Sequence, residues 1–327
     1  MPDKYFPIYS LGDNNMPDEK MTDCNRNTKN TIISPVDGRE ISLEGLTRRQ
    51  LRDIHYQEEV KMAKRILMYP PFSEERKQLL NEGYAFVETL KLMYERTEVE
   101  SFGASPWTVK LVTNAVKERI KKTGKAQVVY EAGVGMGYAV RNIIKIPHVL
   151  YYGCDVTLFP DVASMTKQYN NLILHERTLY EDLLDMEDNS IDVFYADNVI
   201  EHLFPDEADC IFELLYRKMK KKGILILFIP NWHTGPHDVT KFYLKKGQPA
   251  KGFHFMEMSC METTRLLCRH RFIPNKIIKN GKIENDRLCL KNLARLLAEF
   301  RISKIKDKKV QLELMKCDNY NSYVFSK

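Results

Sequence analysis

The residue order predicts an α/β fold: a mostly parallel sheet wound with helices on both faces, preceded by a helical extension. Three observations carry this. The apolar run Val128–Tyr130 ends in Glu131 and passes into the turn Gly133-Val134-Gly135-Met136-Gly137; glycines there remove the Cβ atoms that would hold a ligand off the backbone. Beyond the turn, short apolar runs alternate with amphipathic stretches, as parallel strands joined by helices do. The run Ile224–Ile229 is apolar without a break, as expected of a strand covered on both faces.

Residues 1–45 are rich in Asp, Asn, Pro, Ser and Thr and read as irregular, either a tail or a segment folded over the active site. Residues 46–124 read as a helical cap. Leu51, Ile54, Val60, Ala63, Ile66 and Leu67 recur at helical spacing until Pro70-Pro71 breaks the pattern. A second helix follows over about 73–94, with Leu80, Tyr84, Val87 and Leu90 on one stripe. The third starts at an N-cap, Ser105, with Pro106 in the first turn. Val109, Val112, Val116 and Ile120 give its buried face, and Gly124 ends it.

From residue 125 the predicted order is a strand at 127–131, a helix at 138–145, a strand at 149–153 and a helix at 161–171. A weaker strand at 172–178 and another at 191–196 come next. Pro205 opens a helix with Asp206 and Glu207 in its first turn; Lys218, Lys220, Lys221 and Lys222 close it, and Gly223 ends it. After the strand at 223–229 lies an irregular stretch with Trp232, His233, His237 and His254. Ser259 and Glu262 form a capping box for a helix to His270. A strand at 272–278, an amphipathic helix at 287–300 and an edge strand at 320–325 complete the reading.

The 327 residues allow one large domain with appendages or two small ones, and the net charge of +6 permits an anionic partner without implying nucleic acid. Seven cysteines are scattered with no C-x-x-C pair, which fits a reduced protein rather than a disulfide or zinc scaffold. No basic-then-apolar leader opens the sequence and no apolar run is long enough for a bilayer. The expectation is a soluble, cytoplasmic chain with no membrane partner.

In an open parallel sheet, ligands lie beyond the carboxyl ends of the strands. Those ends carry Glu131 with the glycines, Asp155, Asp197-Asn198 and Pro230-Asn231. Tyr138 stands where a dinucleotide fingerprint would have its third glycine. Asp155 sits where a second-strand carboxylate reaches a ribose, and an acceptor-only group suits a vicinal diol.

These pieces together resemble the class I S-adenosylmethionine-dependent methyltransferases, nearest the ubiquinone-biosynthesis-like group. The resemblance runs through Glu131–Gly137, Tyr152–Asp155, Asn189–Leu203, Met219–Asn231 and the closing Asn321–Lys327, about half of the chain. It implies a Rossmann-like, seven-stranded sheet over 125–327, with a helical insertion at about 281–317. It also implies S-adenosylmethionine as cofactor, with Gly133, Gly135 and Gly137 around its methionine part, Asp155 on its ribose and Asp182 near its adenine. Glu131, Asp197 and Asn198 complete the expected cofactor site. In-line transfer from a sulfonium needs the acceptor held in line, and a base where the acceptor carries a proton. His202 is the candidate base, with Glu201 beside it to draw its pKa upward, and His254 completes the catalytic set. His233, His237 and Trp232 are candidates for the acceptor pocket.

The expected acceptor is an O or N atom on a small metabolite, natural-product intermediate or peptide; no resident metal is expected. One rival is a metal-assisted RNA 2′-O-methyltransferase built on Glu201, His202 and His254. It is weakened by Asn198, where that pattern has a further carboxylate, and by the lack of a dense basic patch. The other is a non-catalytic cofactor-binding subunit.

Overall fold

The strand predicted ahead of the glycine turn, β3 (Gln127–Ala132), is central in a six-stranded sheet. In the computed structural model the described residues are 31–94, 105–279, 282–286, 288–307, 310–311 and 322–327. On one side of β3 lie β4 (Val149–Asp155) and β5 (Leu172–Glu176); on the other lie β6 (Ile191–Asp197), β7 (Met219–Phe228) and β10 (Ser322–Ser326). All pairs are parallel except β10 with β7. The chain order reverses between β4 and β6, so a crevice opens where β3 and β6 end.

Alternation along the strands divides the core into two layers. Tyr130, Phe194 and Leu225 face α6 (Leu179–Asp185), α7 (Pro205–Lys218) and α8 (Cys260–Arg269). Val129, Val193 and Ile226 face α3 (Pro106–Thr123), α4 (Tyr138–Ile143) and α5 (Pro160–Ser164). The predicted caps hold: Ser105 accepts the amide of Thr108, and Ser259 and Glu262 form the reciprocal box at α8.

The helical cap is α1 (Arg48–Ile66) and α2 (Glu74–Tyr94), preceded by a hairpin of β1 (Thr31–Ile33) and β2 (Glu40–Ser42). That hairpin corrects the irregular reading of its segment; residues 1–30 of the predicted tail lie outside the described residues. The cap has its own apolar core, completed by Phe204 and Phe253 from the sheet domain. Arg76 fixes it in place. This buried guanidinium reaches Asp206 (2.8 and 2.9 Å), Glu207 (2.7 Å) and the Tyr69 carbonyl (2.7 Å), and lies over the Phe204 ring.

Three predicted elements change. The strand read at 272–278 contributes one bridge, Ile273 to Ser326. Pro274 then has no N–H to continue the ladder, and the chain turns into a separate hairpin, β8 (Lys276–Lys279) with β9 (Lys282–Asn285). The helix before Gly223 stops at Lys218, and Lys220–Lys222 already belong to β7. Asp192 makes this possible by pairing with Lys220 at 2.6 Å. Finally, α6 occupies a stretch read only as a loop, begun by a capping box of Thr178 and Glu181. The helix α9 (Leu290–Ser303) packs by way of buried Glu299, which holds Asn231 and the amides of Cys260 and Met261.

Candidate active site

A cavity of about 1,800 Å³ lies between the carboxyl ends of the strands and the helical cap. Gly133, Gly135, Asp155, Asp197, Asn198, Glu201, His202, His237 and His254 all line it, beside α2 residues such as Tyr84.

At one end is the glycine turn. Gly133 has φ +72° and a Cβ there would sit 2.2 Å from the Val199 side chain, so any other residue would push apart the ends of β3 and β6. Gly135, at φ +49°, meets nothing within 4 Å and presents bare backbone to the open space. Asp155 ties the turn down: its carboxylate accepts the amides of Gly135 (2.8 Å) and Thr157 (3.2 Å). Burial raises its pKa while these backbone bonds oppose the rise. An ionised carboxyl has about four acceptor positions, so capacity remains for a diol. Beside it, Asp197 accepts Thr108 Oγ1 (2.7 Å), Tyr195 Oη (3.2 Å) and Asn198 Nδ2 (3.0 Å).

At the other end, the turn after β6 carries Glu201 and His202. Glu201 is wholly buried, and among the described residues neither carboxylate oxygen has a hydrogen-bond partner. Burial pushes its pKa up to about 8. His202 Nδ1 lies 3.0 Å from the Phe253 carbonyl. A carbonyl only accepts, so Nδ1 carries the proton and Nε2 is bare. The expectation that Glu201 raises His202 is overturned: burial, with His254 adding to it, pushes His202 down to about 3. The His254 ring stands edge-on to it at 4.8 Å, and its Nδ1 meets Glu257 at 2.7 Å. Glu257 also accepts the His237 amide (2.7 Å) and faces His237 Nδ1 (3.2 Å). Against burial, these two histidines hold Glu257 down to about 2. Burial likewise opposes charge on His254, but Glu257 and Glu201 raise its pKa. One ligand atom each from Glu201, His202 and His254 lie within 4.8 Å of one another.

Several predicted residues lie elsewhere. Glu131 is buried behind the turn, accepting Tyr151 Oη at 2.5 Å, and Gly137 and Asp182 do not line the cavity either. Asp182 is the hub of a buried network, holding Tyr130 Oη (2.5 Å), His175 (2.6 Å) and Arg177 (2.6 Å). Trp232 gives its indole N–H to Glu262 at 2.8 Å, and neither it nor His233 reaches the cavity. Sequence reasoning missed Thr108, Glu257 and the cap residues His55, Glu59 and Tyr84. Tyr84 counted only as an apolar stripe residue, and the others became visible only when distant segments met.

Residues 130–227 match the family model described as a methyltransferase domain. No curated protein matches the chain in sequence. Among solved structures it is similar to a Haemonchus contortus phosphoethanolamine N-methyltransferase 2 bound to phosphomonomethylethanolamine and S-adenosylhomocysteine (17% identity, TM-score 0.42, 66% of this chain and 51% of that one). This chain thus spans about half the length of the Haemonchus protein. A SAM-dependent methyltransferase from Archaeoglobus fulgidus is also similar (15%, TM-score 0.40, 67% and 94%). So is a Burkholderia thailandensis 1,6-didemethyltoxoflavin-N1-methyltransferase (14%, TM-score 0.43, 64% and 84%). The matched segment runs from β3 into β7 and so takes in the glycine turn, Asp155 and Glu201.

Proposed function

We propose that this chain transfers the methyl group of S-adenosylmethionine to an oxygen or nitrogen of a small metabolite, natural-product intermediate or peptide. The observation that carries it is the single cavity joining the glycine turn and Asp155 to Glu201, His202 and His254. The cofactor fits these residues: bare backbone at Gly135 faces open space, and Asp155 keeps acceptor capacity next to it. Gly133, Gly135 and Asp155 would hold the cofactor, which supplies an activated methyl group. The chain's own residues position the acceptor and take its proton. Glu201, with a pKa near the working range, is matched to proton transfer in a way that His202 is not. His202 offers its bare Nε2 as a hydrogen-bond acceptor. The cavity exceeds the ordinary size of a small-ligand pocket, roughly 300–1,000 Å³, so cofactor and a sizeable acceptor have room together. Incubating the protein with methyl-labelled S-adenosylmethionine and fractionated cell extract, then tracing the label by mass spectrometry, tests this. Label that stays on the cofactor with every fraction refutes it.

A second reading is favoured by one observation, the two unpartnered oxygens of Glu201. A carboxylate and two imidazoles with ligand atoms this close suit a divalent cation, and Asn198, on the cavity wall, has an amide oxygen to add. Such a cation would polarise an acceptor hydroxyl. Transfer lost to a chelator and restored by Mg²⁺ or Mn²⁺ supports this reading; unchanged turnover in chelator rejects it.

A further inference from the structure

The cap helix α1 contributes two buried polar residues that the reaction above does not use. His55 and Glu59 are 1% and 4% exposed, and both reach the cavity wall. His55 Nε2 lies 2.5 Å from Glu59 Oε2, and its Nδ1 lies 2.7 Å from Tyr94 Oη on α2. The second Glu59 oxygen, Oε1, accepts the backbone N–H of Phe253 at 2.9 Å. Phe253 is also the residue whose carbonyl takes the Nδ1 proton of His202. One residue's backbone therefore joins the cap carboxylate to the histidine facing the acceptor.

The neighbouring residue confirms how tightly this segment is held. Gly252 gives its N–H to Asp238 at 2.8 Å. A Cβ at Gly252 would lie 2.0 Å from Glu59 Oε1 and 2.7 Å from Asp238 Oδ2. The segment passes between two carboxylates through a gap where an added methyl group would have to displace Glu59 or Asp238. Asp238 is itself buried and closes a turn through the amide and hydroxyl of Thr240. Cap packing alone does not call for such an arrangement. A buried carboxylate is expensive to desolvate, and apolar residues of similar volume commonly serve stability as well.

We propose that Glu59, steadied by His55, is a positioning residue: through the backbone of Phe253 it fixes the tautomer and orientation of His202. The bare Nε2 then faces the acceptor only while α1 is docked. The proposal rests on the reading of His202 given above, and it deepens that reading by making cap docking a condition of a competent site. The hydrogen bonds of Glu59 go to His55 and the Phe253 backbone.

Nitrogen-15 NMR of the full chain labelled at histidine reads this without any acceptor. His202 is assigned by the signal absent from His202→Asn. The wild-type chain should show His202 protonated at Nδ1 and bare at Nε2. Glu59→Ala should mix the two tautomers, and Glu59→Gln, whose amide oxygen still accepts from Phe253, should restore the wild-type pattern. Affinity for S-adenosylmethionine, measured by calorimetry, should stay within about twofold in both variants. A wild-type His202 signature in Glu59→Ala overturns the proposal. So does a Glu59→Gln variant as disturbed as Glu59→Ala, because the charge would then matter rather than the bond to Phe253. If Glu59→Ala does not fold, Gly252→Ala decides, since its methyl group displaces the segment from Glu59: mixed tautomers support the proposal and an unchanged spectrum rejects it. Failure of the wild-type chain to bind S-adenosylmethionine would sink the methyltransferase reading and leave the His202 result standing on its own.

Discussion

Asp155 and Glu201 are both carboxylates at strand ends, both line the same cavity, and they are held in opposite ways. Asp155 closes on the amides of Gly135 and Thr157 and so shapes the turn that approaches the cofactor. Glu201 is more deeply buried and has no partner for either oxygen among the described residues. The cofactor end of the cavity is thus complete without help from the acceptor end. A buried carboxyl left unpaired costs stability, and such a group is retained where its chemistry is used. Asp182 adds the third case, a carboxylate whose bonds are all made within the fold.

These three residues give a graded test. Asp182→Ala should have the largest effect, a loss of about 3–5 kcal/mol of stability, because Arg177, His175 and the buried Tyr130 hydroxyl all lose their shared partner. Denaturant unfolding measures it, and a cost below about 1 kcal/mol would show the hub to be dispensable. Asp155→Ala should weaken S-adenosylmethionine binding by about 2–3 kcal/mol, the scale of hydrogen bonds to a charged group. Unchanged affinity in a folded variant would remove Asp155 from the cofactor site. Glu201→Met should move the other way, raising stability by about 1–3 kcal/mol as the unpaired carboxyl is lost, while abolishing methyl transfer. A less stable variant would mean that Glu201 has a partner in solution.

The smallest effect is electrostatic. Lys77 of the cap meets Glu181 at 2.6 Å. Burial opposes the shift, but this contact and the Thr178 cap lower the Glu181 pKa from its ordinary 4.5. Because the folded value is the lower one, the contribution is present above pH 4.5 and fades as pH falls through the lowered folded value. Both side chains are about one-third exposed, so Lys77→Met should reduce stability at neutral pH by less than about 1 kcal/mol. Stability profiles of the two proteins should converge in acid; a constant gap between them would assign the effect to packing.

Much of the fold was legible because its signals are local. Ser105 and Pro106, the Ser259–Glu262 box and the apolar run into the glycine turn each act within a few residues, and each marks an element boundary. The readings that changed depended on distant partners. Lys220 joins a strand because Asp192 waits beside it, and the strand read at 272–278 shrinks to one bridge at Ile273, ahead of Pro274. The site divides in the same way. Strand-end position brought Asp155, Asp197 and Asn198 to the cavity, since topology dictates where strands end, while Glu201 and His202 follow on the turn after β6 and His254 on the irregular stretch. It could not reveal that Glu131 and Asp182 turn inward, which follows from Tyr151 and Tyr130 reaching them across the sheet. Nor could it show the low pKa of His202, which is set by burial under the cap.

Arg76 has a consequence for how the chain reaches its native state. Its partners Asp206 and Glu207 are 130 and 131 residues further along, and the apolar core of the cap takes in Phe204 and Phe253. Contacts so distant in sequence form late, because the closure entropy of the intervening loop must be met first. On a ribosome the cap helices emerge well before the sheet strands and can pack on each other, yet their shared core is not closed until residue 253 has been made. The part of that core which Phe204 and Phe253 cover stays open throughout that interval, and apolar surface left open in a nascent chain is exposed to aggregation.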